Sequence, residues 1–378
     1  MEYSLRKFRD TINNNNIPFF LFICALCFLN FLLYYVLTPS HTSVAQSTCQ
    51  WDCYWYTDIV RNGYATFPVL HDPRRLAQAD WAFFPLYPAL SHIVQGVFHI
   101  GILWAELVPN LILWPVLIYL CHREMAGRGI VVDRMAFALF CVIYPFNVWY
   151  TAQYSEGVFG VLLVSVLLAM QRRAIPWAAF FCCLLSLSRP TGFVASALIA
   201  GWWTIRQVNL KTISTTWKNL LAPIQESALL LSAAGAGLSI YVFYLLHLTG
   251  DGFAFSHVEV GWGRHFRFLP VGLVHDIRQK HGPEFFIYFI TACYFSYNMA
   301  RMKWGIGALI VSITLFLAAS TGLQSIERYA FSNPLMMEFL AFLVLSRSRR
   351  MQWGILTALF VLHIVMIELW FHQKIILI

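Results

Sequence analysis

IPFFLFICALCFLNFLLYYVL, residues 17–37, is an unbroken apolar run, and TCQWDCYWYTDIVRNGYATFPVLHDPRRLAQADWAFFPLYP, residues 48–88, follows shortly after it. The first run has the ~20 residues that a helix needs to cross hydrocarbon. No small-residue cleavage site comes after it, so it reads as an uncleaved span and not as a signal peptide. The second stretch sets four carboxylates (Asp52, Asp58, Asp72 and Asp80) and three arginines among Trp, Tyr and Phe. Asp52 lies between Trp51 and the run Tyr54, Trp55, Tyr56. An ionisable group among interfacial rings at a bilayer edge is expensive unless it is used, so the rest of the chain reads as a scaffold for this loop.

Composition agrees. Of 378 residues, 59% are hydrophobic and 12% charged, against about 25% charged in soluble domains, so the chain is a polytopic membrane protein. The net charge of +8 reads as topology signal, and nucleic acid is not an expected partner. Nine cysteines are scattered, mostly in apolar spans, where Cys behaves as a small hydrophobe. Cys49 and Cys53 lie together in a loop, but their i,i+4 spacing suits one helix face better than a disulfide. Neither they nor the histidines show ligand spacing, so no metal is implied.

The apolar stretches after residue 37 are 104–121, 135–150, 157–170, 175–187, 193–205, 228–246, 285–300, 304–319, 329–345 and 353–371, which with the first predict about eleven spans. Residues 85–101, interrupted by Pro88, Ser91, His92, Gln95 and His99, predict a juxtamembrane or re-entrant helix. With the N-terminus inside, cytoplasmic segments hold Arg6, Lys7, Arg9, Arg123, Arg128, Arg134, Arg172, Arg173, Arg206, Lys211, Lys218, Arg301, Lys303, Arg347, Arg349 and Arg350, which is 16 of the 26 basic residues in short loops. That bias sets the orientation. The expected organisation is one integral membrane domain over 1–378, with a first outer loop at 38–103 and a second at 247–284.

Candidate chemistry gathers on the outer side. Asp52 suits a general base, or a helix cap or arginine partner. Trp51, Tyr54 and Trp55 offer flat faces to a sugar ring, or belong to an interfacial aromatic belt. Tyr154 and Glu156 sit at the mouth of two spans, where a carboxylate binds hydroxyls, holds an arginine or favours a helix N-terminus. Arg189 in SRPTG and Arg328 in ERY are single cations at helix ends, fit for bidentate phosphate binding, for snorkelling, or for pairing with Glu156 or Glu327. The second loop carries Asp251, His257, Trp262, Arg264, His265, Arg267 and Lys280, suited to a lid, a headgroup site or a solvated loop. No nucleotide-phosphate glycine loop, Ser-His-Asp order or HExxH motif is present.

Several stretches together resemble the PIG-V family of glycosyltransferases, which have the multi-spanning all-α GT-C fold. They are WD at 51–52 with GY at 63–64, AFFPLYP at 82–88, YP…YSE from Tyr144 to Glu156, SRPTG at 188–192 and ERYAFSNP at 327–334. The resemblance implies a sugar moved from a polyprenyl-phosphate carrier to an acceptor hydroxyl on the outer or lumenal face, with no further cofactor. In the eukaryotic family the donor is dolichyl-phosphate mannose and the acceptor is the growing GPI anchor. In GT-C folds the essential acid follows the first span, which maps onto Asp52. This chain is compact, as a prokaryotic relative with another lipid or protein-glycan acceptor would be. It would then lie in a bacterial or archaeal plasma membrane, and otherwise in the endoplasmic reticulum.

The mechanism implied is inversion. Asp52 takes the acceptor proton, Arg189 and Arg328 stabilise the departing phosphate, and Trp51, Trp55, Tyr154, Glu156, Asp251, His257 and Trp262 contact sugar or acceptor. Membrane lipids and a small membrane subunit are the remaining expected partners. The competing readings are a transporter or flippase of lipid-linked sugar and a non-catalytic subunit. A transporter should carry polar groups along a path through the bilayer, whereas inside the predicted spans only isolated ones occur, such as Glu106, Glu338, His363 and Glu368.

Overall fold

Leu, Phe, Ile and Ala dominate the apolar stretches, and such side chains lose little freedom in a helix or pack readily once there. The structure is a computed structural model that describes residues 16–68, 77–207, 218–302 and 304–373. Arg6, Lys7, Arg9, Asp72, Lys211 and Lys303 lie outside the described residues.

The chain opens with α1 (Asn16–Leu37) and α2 (Val44–Thr48), where Ser43 and Gln46 form a reciprocal capping box. Next comes α3 (Asp52–Asn62), closed by Gly63 at φ +74°. A 3-10 turn at Asp80–Ala82 leads to α4 (Leu86–Phe98), which packs on α5 (Ile102–Gly127). α6 (Arg134–Ile143) stops at Tyr144, because Pro145 pushes the residue before it out of the helical region. After a 3-10 turn at Pro145–Asn147 come α7 (Val148–Thr151) and α8 (Glu156–Gln171), bent by 96° at the intervening break. α9 (Ile175–Ser188), α10 (Pro190–Gln207) and α11 (Lys218–Thr249) follow. The loop beyond α11 holds α12 (Ala254–His257), a 3-10 turn at Val258–Trp262 and α13 (Leu269–Ile277). The chain ends with α14 (Gly282–Arg301), α15 (Gly305–Thr321), α16 (Ile326–Phe331), α17 (Pro334–Leu345) and α18 (Arg349–Phe371).

All eleven apolar stretches are helical, but eleven spans are not what they build. Among the described residues four helices, α1, α5, α11 and α18, are long and apolar enough to cross a membrane, or five if the bent pair before and after residues 152–155 counts as one. α6, α9, α15 and α17 are apolar but only 10–17 residues long. The physical reason is length: the stretches 135–150 and 329–345 are broken before Pro145 and Pro334, and the helices Ile175–Ser188 and Gly305–Thr321 run only 14 and 17 residues.

The expectation for Cys49 and Cys53 is also corrected: they are disulfide-bonded, with Cα atoms 5.2 Å apart. The i,i+4 argument assumed one continuous helix. α2 ends at Cys49 in extended backbone, and Trp51 has φ +48°, so the chain reverses and brings the sulfurs together.

The isolated polar groups of the spans find partners. Glu338 and Glu124 share Arg128, at 2.8 and 2.5 Å. Glu106 accepts from the Thr57 hydroxyl at 2.9 Å, and His363 meets Asn30 at 2.8 Å. Where driving force from water exclusion is absent, close packing of small residues substitutes for it. A Cβ on Gly237 of α11 would lie 2.1 Å from the Cys183 carbonyl oxygen of α9.

Candidate active site

Each motif that suggests chemistry is a helix end, and these ends converge. Asp52 is the first residue of α3, where a carboxylate complements the helix dipole. Trp51, just before it, holds a left-handed backbone costly for a bulky residue. Its ring meets Trp370 edge-on at 4.8 Å, and the Trp370 indole donates to the Thr48 carbonyl at 3.1 Å, so α18 and the disulfide together hold the turn.

Glu156 begins α8 immediately after the sharp break. Arg189 is extended between α9 and α10, since Pro190 denies it a helical conformation while serving well as the first residue of α10. A Cβ on Gly192 would meet the Leu185 carbonyl oxygen at 2.0 Å, so the SRPTG turn closes only with glycine there. Arg328 lies in α16, whose start is set by Ser325 at φ +63°. The Tyr144 hydroxyl donates to the Phe331 carbonyl at 3.0 Å and that of Tyr150 to the Ser332 carbonyl, which ties the YP…YSE segment to ERYAFSNP.

These placements join four charges. Arg328 donates from Nη1 to Asp52 and from Nε to Glu156, and Arg189 Nη1 donates to the same Glu156 oxygen at 2.5 Å. Glu156 is 1% exposed, Arg328 9% and Asp52 21%, so Asp52 is the member that opens outward. Burial alone would lower the Arg328 pKa; Glu156 and Asp52 outweigh it and hold the guanidinium well above its ordinary value. Tyr154 lies under Arg328, with the guanidinium carbon 4.6 Å from its ring centre and its hydroxyl bonded to the Gln50 carbonyl at 3.0 Å.

Asp52, Arg189 and Arg328 line a cavity of about 920 Å³. Trp51, Trp55, Phe83, His257, Trp262 and Tyr329 also face it. Trp55 stacks on Phe83 from the AFFPLYP segment, with centroids 5.8 Å apart, and meets Trp262 edge-on at 5.5 Å. Glu156 and Tyr154 stand behind the wall, Glu156 bonded to Arg189 and Arg328 and Tyr154 packed under Arg328. Asp251 does not line the cavity; it is half-exposed and pairs with His257 at 2.6 Å. Asp58 is exposed and bonded to Asn62, on another face of α3.

Two further residues complete the wall. Arg264 lies 5.4 Å from the Tyr329 ring, which Arg189 approaches to 5.7 Å on its own account, so a third cation joins the cavity. Glu259 is 3.5 Å from Arg264, and burial pushes its carboxyl above the ordinary range against that arginine's pull. The sequence places both in the second loop without marking them as part of this site, since only folding brings that loop over α3 and α16. Behind the AFFPLYP turn, burial raises Asp80 to about 6 although the Ala65 amide donates to it at 3.0 Å.

No protein-family model matches the sequence, and no curated protein does. Solved structures do. The Archaeoglobus fulgidus oligosaccharyltransferase tethered to an acceptor peptide containing the NVT sequon matches at 13% identity with a TM-score of 0.54, covering 93% of this chain and 55% of that one. The apo form of the same enzyme matches at 13% identity and a TM-score of 0.53, with 93% and 56% covered. ArnT from Cupriavidus metallidurans bound to undecaprenyl phosphate overlaps less well, with 13% identity, a TM-score of 0.49, and 88% and 62% covered. The chain spans about half the length of the oligosaccharyltransferase. It shares the helical fold of that oligosaccharyltransferase, while the PIG-V family is not shown.

Proposed function

We propose that the chain is an inverting glycosyltransferase of PIG-V type that moves a sugar, mannose by family resemblance, from a polyprenyl-phosphate donor to an acceptor hydroxyl. The carrying observation is the buried Asp52–Arg328–Glu156–Arg189 cluster, open through Asp52 onto an aromatic-walled cavity. Fold likeness to a membrane oligosaccharyltransferase supports the reaction class and leaves donor and acceptor to the chemistry of this site.

Asp52 removes the acceptor proton as that oxygen attacks the anomeric carbon from the face opposite the phosphate. The anomeric C–O bond breaks, and polyprenyl phosphate departs with its charge met by Arg328, Arg189 and Arg264. No nucleotide is required, because the phosphate ester already supplies the leaving group. Arg328 is shared with Asp52 before donor binds; a phosphate that takes over part of the guanidinium leaves the carboxylate facing the acceptor. Trp51, Trp55 and Trp262 cover the sugar ring, and Tyr154 and Glu156 fix Arg328 in place. Asp251 and His257 contribute at the rim.

The cavity is placed on the outer or lumenal face, with the N-terminus cytoplasmic. In support, Arg172, Arg173, Arg206, Arg301, Arg347, Arg349 and Arg350 all fall at helix ends other than those that meet at Asp52.

The test is transfer by the purified protein from a short-chain polyprenyl-phosphate mannose, with acceptors scanned by mass spectrometry. Transfer that vanishes with Asp52→Asn supports the reading. Donor binding with neither transfer nor hydrolysis, across crude lipid and protein extracts, replaces it with a transporter or a non-catalytic subunit.

A further inference from the structure

Beyond Trp262 a second cavity of about 650 Å³ adjoins the first and shares Trp262, Arg264, His265 and Gln324 with it. Its chemistry is different. Arg264, Arg267 and Lys280 line it together with His265, His275 and His281, against one carboxylate, Asp276. That carboxylate is already committed: Oδ1 lies 3.4 Å from Arg267 Nη1, and Oδ2 accepts from the Leu323 amide at 2.9 Å. Lys280 is exposed and has no side-chain partner among the described residues. His281 Nδ1 is buried without a hydrogen bond, and Glu284 is 3.7 Å away. Arg264 is drawn on by Glu259 and the Gln324 carbonyl and Arg267 by Asp276, so Lys280 is the formal cation left over in a lining of three cations and one carboxylate, which is the chemistry of an anion site.

The same loop points to where the anion comes from. Phe266 and Phe268 are 80% and 75% exposed, and Val271 and Val274 on α13 are exposed as well. Apolar side chains beside a basic pocket match a ligand whose head is anionic and whose tail is lipid.

We infer that this second cavity binds the phosphate of a phosphate-bearing lipid acceptor, held by Arg267 and Lys280 with His275 and His281, beside the cavity where sugar is transferred. The inference rests on the donor occupying the first cavity, and it places the acceptor across Trp262 from the cavity that Asp52 lines. The phosphate stays intact throughout; it anchors the acceptor and takes no part in bond making.

Purified wild-type protein is titrated calorimetrically in detergent with short-chain phosphatidic acid, short-chain phosphatidylcholine and inorganic phosphate. Phosphatidic acid should bind tightest. Arg267→Gln with Lys280→Gln should weaken it by about tenfold or more, the loss expected for charge-assisted bonds. Because Arg267 also braces Asp276, Lys280→Gln alone serves as the variant that breaks no hydrogen bond or ion pair among the described residues, and it should weaken the same ligand and leave phosphatidylcholine unchanged. Phosphatidic acid no tighter than phosphatidylcholine, or equally tight in both variants, overturns the site. Inorganic phosphate as tight as phosphatidic acid overturns the lipid and leaves a free-anion site. The readout needs no turnover, so a chain that transfers no sugar yet loses phosphatidic acid on Lys280→Gln would sink the transferase reading, keep the lipid-phosphate site and overturn its role in holding an acceptor.

Discussion

Arg328 and Asp52, 276 residues apart in sequence, form an ion pair through Nη1 while the Arg328 Nε is held by Glu156. One buried cation thus serves two carboxylates of unequal exposure. Glu156 is shut in, so its pairing is structural, whereas Asp52 keeps one side toward the cavity.

Asp52→Asn preserves a side-chain oxygen for Arg328 and removes the base. Turnover should fall by about 10²–10⁴-fold, the usual worth of a general base. Elution volume and unfolding temperature in detergent should stay near wild type. Near wild-type turnover would remove Asp52 from the role.

Glu156→Ala leaves Arg328 and Arg189 buried with their common partner gone. Breaking such a pair from one side costs about 3–5 kcal/mol, so the unfolding transition should move well down. Glu156→Gln keeps an acceptor and should cost less. Adding Arg328→Ala to Glu156→Ala should do much less damage than the sum of the two, which a double-mutant cycle in denaturant measures.

The Cys49–Cys53 bridge closes a very short loop, so it restrains few unfolded conformations and is worth about 2 kcal/mol by the loop-entropy relation. Its larger effect should be on the aim of Asp52. Mild reductant, or Cys49→Ser with Cys53→Ser, should lower turnover far more than it lowers unfolding temperature. Alkylation before and after reduction, read by mass, checks that the bridge was present.

Asp80 titrates near 6 in the fold against an ordinary 3.8. Between those values the folded chain keeps a proton that the unfolded chain has lost, so this group favours folding at low pH and the benefit fades as pH climbs to about 6. Above that its charge costs up to about 3 kcal/mol. Asp80→Asn should therefore raise the unfolding temperature at neutral pH and flatten its dependence from about pH 4 to about pH 6. An unchanged profile would show that the buried carboxyl is relieved in some other way.

The residues that meet in the candidate site were legible wherever a helix end announced itself. Glu156 after its break, Arg189 before proline, Arg328 in its short turn and Asp52 after the first long helix are all motif positions in the sequence. What the sequence left open was which alternative each obeyed, because a cation facing phosphate and a cation facing Glu156 look the same in one dimension. Folding shows Arg189 and Arg328 paired with Glu156. Arg264 was legible as one of the second-loop residues suited to a lid, a headgroup site or a solvated loop, and which of these it joins depends on how residues 250–281 drape over the helix ends. The span count failed because hydropathy runs past the breaks before Pro145 and Pro334, and because several apolar helices are too short to cross by themselves.

The bridge beside Trp51 carries one more consequence. A left-handed tryptophan held between two cysteines is a backbone shape that the unlinked chain would abandon readily. Disulfides persist where the surroundings are oxidising and are rare in the cytosol. On the proposed function, the carboxylate next to that turn would be armed only where the loop matures under oxidising conditions, and a copy whose loop stays on the reducing side would keep every residue of the candidate site with its aim unset.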